Sequence, residues 1–100
     1  MSSIRIESMI PAKKKIMVVQ EPLPIKFTVK KIDIISGKLP GIFLCEVWLN
    51  EEKKFIPWAQ KIEKLESLKD LELPKNTKLK LVFRNDTLSP VSLIIEIQGV

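Results

Sequence analysis

Lys78-Leu79-Lys80-Leu81-Val82-Phe83-Arg84 and, beyond a polar break at Asn85-Asp86-Thr87, Val91-Ser92-Leu93-Ile94-Ile95-Glu96-Ile97-Gln98 decide the class of this fold. Both runs are rich in Ile, Leu, Val and Phe and end at turn-forming residues, which is how short β-strands read. Working outward, the same grammar recurs over residues 4–8, 13–19, 25–35, 42–49 and 54–58. Seven short strands at intervals of roughly ten residues predict an all-β chain, an antiparallel β-sandwich of jelly-roll-like kind. A chain of 100 residues with no repeat, low-complexity tract or linker reads as one β domain spanning 1–100.

The connections follow from local chemistry. In 25–35, Ile25, Phe27 and Val29 hold odd positions and Ile32 and Ile34 even ones, so a β-bulge at Lys30-Lys31 is expected to keep both halves pointing inward. Glu21-Pro22-Leu23-Pro24 lacks two ladder donors and reads as a corner. Ser36-Gly37-Lys38-Leu39-Pro40-Gly41 reads as a turn, and Asn50-Glu51-Glu52-Lys53 as a four-residue hairpin loop. Over 60–71 the spacing of Ile62, Leu65 and Leu68, with Pro74 as a stop, predicts a short helix. A looping crossover in which these side chains dip inward one by one is the alternative.

Two strands are apolar on both faces. Phe43, Cys45, Val47 and Leu49 would face one way and Ile42, Leu44 and Trp48 the other, and Ile94 lies opposite Leu93 and Ile95. Half-solvated antiparallel strands alternate, so these two are expected to be covered on both faces, either by the helix read over 60–71 or by a neighbouring subunit. In the second case Ile42, Leu44, Trp48 and Ile94, together with Trp58 after Pro57, form a candidate oligomer surface. Cys45 stands alone, which excludes an intrachain disulfide; among Phe43, Val47 and Leu49 it is expected to be a buried, unreactive core residue.

Composition narrows function by exclusion. Apolar residues are 45% of the chain and charged ones 29%, a globular balance. No apolar run approaches the ~20 residues of a spanning helix and no secretory signal is read at the start, so no membrane partner is expected. With no His there is neither a Ser-His-Asp nor a Cys-His arrangement, and no catalytic residue, cofactor, metal or small-molecule substrate is assigned. Glu63, Glu66 and Asp70 interleave with Lys61, Lys64 and Lys69, the look of a solvated face rather than a cation site. Ser36-Gly37-Lys38 lacks the upstream Gly and following Ser or Thr of a phosphate loop. Asn85-Asp86-Thr87 matches a glycosylation sequon but reads as a turn.

The net charge of +5 rests on fifteen Lys and two Arg against twelve carboxylates. Lys is a solvated point charge, so the balance favours non-specific polyanion contact over base readout. Lys13, Lys14, Lys15, Lys30, Lys31, Lys53 and Lys54 are the candidate contacts, and strands, one helix and further strands would suit an OB-like single-stranded nucleic-acid module. Against it, the four Phe and two Trp mostly take core-facing positions, and Trp58 is the best candidate for an exposed ring on which a base could stack. Abundant Ile, Lys and Glu also fits a thermophile-like composition that needs no partner.

The last third, from Leu73-Pro74-Lys75-Asn76-Thr77 through Phe83-Arg84-Asn85 to Ile94-Ile95-Glu96-Ile97-Gln98-Gly99, resembles small β-sandwich particle proteins of tailed and related viruses. In those proteins a strand ending in Phe-x-Asn leads through a polar turn into a closing apolar strand that ends in Gly. The opening Ile10-Pro11-Ala12-Lys13 is similar to theirs. The resemblance implies a non-enzymatic structural subunit of a homo-oligomer or larger particle, located in the virion, and transfers no site residue. Without it, a cytoplasmic chain is expected, with the nucleic-acid module or a small protein-binding regulator as the alternative functions.

Overall fold

The computed structural model describes residues 2–54, 59–65 and 67–100. Among them nine strands form: β1 (Ser2–Ile10), β2 (Lys15–Gln20), β3 (Phe27–Ser36), β4 (Ile42–Leu49), β5 (Glu52–Lys54), β6 (Gln60–Lys61), β7 (Glu72–Leu73), β8 (Leu79–Asn85) and β9 (Val91–Gly99). The chain is all-β, and its strands divide between two antiparallel sheets packed in a sandwich-like way. The first sheet has the order β1-β9-β3-β7 and the second β2-β8-β4-β5, with β6 also paired to β4. This is not the arrangement of an OB module, which closes five strands into one barrel.

Alternation along each strand explains the core. Ile4, Ile6 and Ile10 of β1, Leu93, Ile95 and Ile97 of β9, and Phe27 and Val29 of β3 line the inner side of the first sheet. Leu79, Leu81 and Phe83 of β8 and Ile42, Leu44 and Val47 of β4 meet them from the second. Burying each such side chain contributes ~1.5–3 kcal/mol relative to leaving it in water.

Two of the three register slips among the described pairings reconcile apolar runs with a two-sided sheet. On β3 the pairing with β9 shifts between Val29 and Lys31, where the apolar phase changes, so Lys30 is the extra residue and Ile32 and Ile34 return to the interior side. On β4 the pairing with β8 shifts between Leu44 and Glu46. Cys45 is that bulge. Ile42, Leu44, Val47 and Leu49 therefore all point inward, and Phe43, Glu46 and Trp48 point out. The expectation that β4 needs a cover on both faces is thereby corrected, because most of its apolar residues share one face. Cys45 itself is half-buried rather than interior.

Among the described residues the crossover holds no α-helix. After β6 come a single 3-10 turn at Ile62–Lys64 and further turns before β7. Ile62 and Leu68 are buried, and Leu65 and Leu71 pack partly against the core, the one-by-one dipping that three-residue spacing equally allows. The two-residue strands β6 and β7 take the count past the seven expected. The β4–β5 hairpin is also tighter than expected: Leu49 pairs with Glu52, leaving only Asn50 and Glu51 in the turn, with Asn50 at φ 55°. Of the expected strand 54–58, residues 55–58 lie outside the described residues.

Asn85 closes the end of the sandwich where β1, β4 and β8 converge. It is fully buried; its amide nitrogen donates to the Ile10 and Ser89 carbonyls at 3.0 and 2.9 Å. Its side-chain oxygen accepts from the Thr87 backbone N–H at 2.8 Å and from the Thr87 hydroxyl at 2.6 Å. An amide so engaged is not open to glycosylation, so the sequon is a turn device.

Candidate functional site

The outward side of the second sheet is set by the registers of β2, β8 and β4. Lys15 lies opposite Arg84, and Arg84 opposite Phe43, which in turn pairs with Lys61 on β6. The next outward row is Met17, Val82 and Glu46, and the third is Val19, Lys80, Trp48 and Lys53. A solvated sheet face is expected to be polar, yet this one carries two aromatic rings and three aliphatic side chains between its cations. Val82 is only 7% exposed although it points away from the core.

The electrostatics separate the two ends of that face. In the third row Lys53 reaches Glu46 at 3.2 Å, the Trp48 indole donates to the same carboxylate at 3.2 Å, and Lys80 meets Glu51 at 3.0 Å. The bond from Lys53, assisted by Trp48, holds the Glu46 carboxyl below the ordinary Glu range against the opposing effect of burial. At the first row the Arg84 guanidinium stands 4.6 Å from the centre of the Phe43 ring while its Nε donates to Asp86 at 3.0 Å. Beside that ring is an open cavity of about 300 Å³ lined by Phe43, Ala59, Gln60, Lys61 and Lys64. No carboxylate among the described residues pairs with Lys15, Lys61 or Lys64. The Cys45 thiol borders this region; burial pushes its pKa up, with Arg84 and Lys15 pulling the other way. No known protein family, characterised protein or solved structure matches this chain.

The residues singled out from sequence are spread more widely. Ile42 and Leu44 are 1% and 0% exposed and belong to the core, so they form no surface. Trp48 is half-buried on the outer face of the second sheet, Ile94 half-buried on the outer face of the first, and Trp58 lies outside the described residues. The lysines do not form one basic surface either. Lys13, in the β1–β2 turn, donates to the Asp86 carbonyl at 2.6 Å, and Lys14 follows it; Lys15 alone joins the Phe43 row. Lys30 and Lys31 belong to the other sheet, Lys31 lying 3.8 Å from Asp33. Lys53 is held by Glu46, and Lys54 meets Glu52 at 3.3 Å. Phe43, Arg84, Lys61 and Lys64 come together only through strand pairing, which no linear spacing announces.

A second feature is the open edge of the first sheet. β1 is nine residues long and pairs with β9 without a register slip, and among the described residues no strand pairs with its other side. Natural edges of this length are blunted by charged side chains, Lys above all, by Pro or by a bulge. This one has no Lys, Pro or bulge. Its exposed charges are Arg5 and Glu7, joined at 2.6 Å on the outer face.

Proposed function

We propose that this chain is a jelly-roll structural subunit that acts without catalysis, by assembling with copies of itself. The strand order supports the fold: leaving aside β6, eight strands run β1-β9-β3-β7 and β2-β8-β4-β5, and every successive connection except β4–β5 passes between the sheets. Jelly rolls of eight strands built from two Greek keys serve in capsids and lectins, so the fold by itself selects no function. The resemblance of the last third to viral particle proteins favours a subunit that decorates or cements a virion.

The open edge of β1 carries the assembly reading. Two copies laid antiparallel about Ile6 would set Arg5 opposite the partner subunit's Glu7 and Glu7 opposite the partner subunit's Arg5, on one face and related by a two-fold axis. A self-complementary patch is what an isologous interface requires. Cross-strand opposite charges contribute ~0.2–1 kcal/mol each, and the unpaired backbone groups of both edges would gain partners.

Sedimentation velocity on the purified chain tests this. The wild type is expected to self-associate at micromolar concentration, and Glu7→Lys to shift it towards monomer with its β-type circular dichroism intact. The swap Arg5→Glu with Glu7→Lys restores complementarity and should restore association. A strictly monomeric wild type, or association indifferent to both variants, removes the proposal.

A further inference from the structure

We infer that the Phe43 end of the second sheet's outer face binds single-stranded nucleic acid, with Phe43 and Arg84 stacking a base and Lys15, Lys61 and Lys64 holding the adjoining phosphates. The site lies on the opposite sheet from the β1 edge, so it stands or falls independently of self-assembly.

The argument begins with the kinds of group that converge. Single strands are held by cationic grooves that follow the backbone together with rings on which bases stack. Here a half-exposed aromatic ring forms part of the wall of an open cavity of about 300 Å³, and Lys61 and Lys64 supply cations at its margin. Lys15 extends the positive row on the far side of Arg84. A guanidinium plane is itself a stacking surface for a base, and the one over Phe43, 4.6 Å from the ring centre, makes a two-layer platform. Asp86 engages the Arg84 Nε, one of five N–H donors on that side chain, so the guanidinium keeps donors for a phosphate.

Charge sorting on the same face favours this end over the other. Glu46 is occupied by Lys53 and Trp48, and Glu51 by Lys80, so the Trp48 row is close to neutral. The Phe43 row keeps Lys15 and Lys61 without a carboxylate partner among the described residues. A peptide of acidic residues alone would satisfy the cations but brings no planar ring to set against Phe43, and a duplex hides its base faces. A single strand meets both requirements.

The test is fluorescence anisotropy with a fluorescein-labelled oligothymidylate at low salt, with polyglutamate as competitor. The wild type is expected to bind, with affinity falling as salt rises. Lys61→Gln with Lys64→Gln, both exposed and so harmless to folding, should reduce the slope of log K against log salt by about 1.4, at ~0.7 for each phosphate left without its cation. Phe43→Leu, which keeps an apolar side chain but removes the ring, should weaken binding about 5- to 150-fold at fixed salt. Lys30→Gln with Lys31→Gln, on the other sheet, should leave binding unchanged. Absence of binding overturns the site. So does a Phe43→Leu variant that binds as well as wild type while polyglutamate displaces the oligonucleotide at equal charge, since charge alone would then explain the contact. A loss with the Lys30 and Lys31 variant equal to that with the Lys61 and Lys64 variant overturns it too.

Discussion

The Asn85 amide donates to the Ile10 carbonyl at 3.0 Å, tying the last residue of β8 in one sheet to the last residue of β1 in the other. Burial as such is non-directional, whereas this hydrogen bond is directional and pins the two sheets at one named pair of atoms. Asn85 satisfies four groups at once, including the Thr87 N–H and the Ser89 carbonyl.

Replacing Asn85 by Ala would strip those partners from buried or half-buried groups, each costing ~1–3 kcal/mol when left unpaired. The expected result is a loss of stability of about 2–4 kcal/mol, read as a lower midpoint in urea unfolding with little change in its slope. A loss below ~0.5 kcal/mol would show that solvent or a shifted loop readily takes over the amide's role.

Gly99 marks a second close approach. A Cβ there would stand 2.3 Å from the Thr28 carbonyl oxygen and 2.7 Å from the Phe27 ring, while Val100 and Thr28 exchange backbone hydrogen bonds at 2.8 and 3.1 Å. The neighbour is backbone, which cannot rotate out of the way. Gly99→Ala should therefore destabilise the chain by at least the ~1–3 kcal/mol of ordinary overpacking, and amide exchange should quicken first at Thr28 and Val100. Unchanged protection at those two amides would mean that the backbone around Gly99 accommodates the added methyl group with the Thr28–Val100 pairing intact.

How much of this was legible in the sequence depends on contrast between the two faces of each strand. On β3 the polar pair Lys30-Lys31 separates two apolar phases, so the bulge could be placed from the pattern alone. On β4 the only charged residue is Glu46, and an apolar residue stands at nearly every position of either phase; nothing marks Cys45 as the extra one. That ambiguity sent Ile42 and Leu44 to a surface they do not occupy. Three-residue spacing from Ile62 to Leu71 fits a short helix and an inward-dipping loop equally, and long-range packing chose the loop. The Phe43 and Arg84 pair was illegible for another reason: it exists only once β4 and β8 are placed in register.

Cys45 offers a check on the bulge. It is half-buried, and desolvation raises its thiol pKa more than Arg84 and Lys15 lower it, so the reactive thiolate is scarcer at neutral pH than in the unfolded chain. Native protein at pH ~7 should react with a thiol reagent more slowly than denatured protein. Removing the two cations by Arg84→Gln with Lys15→Gln should slow it further. A native rate matching or exceeding the denatured one would place the thiol in an exposed, cation-rich setting instead.

The last prediction concerns acid. Lys53 donates to Glu46 at 3.2 Å and the Trp48 indole donates at 3.2 Å, which together favour the carboxylate and hold its pKa below the ordinary value. An unfolded Glu titrates near ~4.3, so the folded state binds this proton less readily than the unfolded one. Stability then rises with pH wherever the unfolded chain carries the extra proton. The contribution of Glu46 is fully present above about pH 5 and is lost as pH falls through its depressed folded value. With Lys53 largely exposed, the pair is of the surface kind and contributes no more than ~1 kcal/mol. Glu46→Gln should accordingly be less stable than wild type at pH 7, and the gap should close on acidification to pH ~3. In a Lys53→Met background the same Glu46→Gln change should cost less at neutral pH, because the principal partner of the carboxylate is gone. Urea midpoints for the wild type, the two single variants and the double variant at both pH values decide the matter: a gap that persists unchanged in acid would show that the side chain acts through packing against Trp48 rather than through its charge.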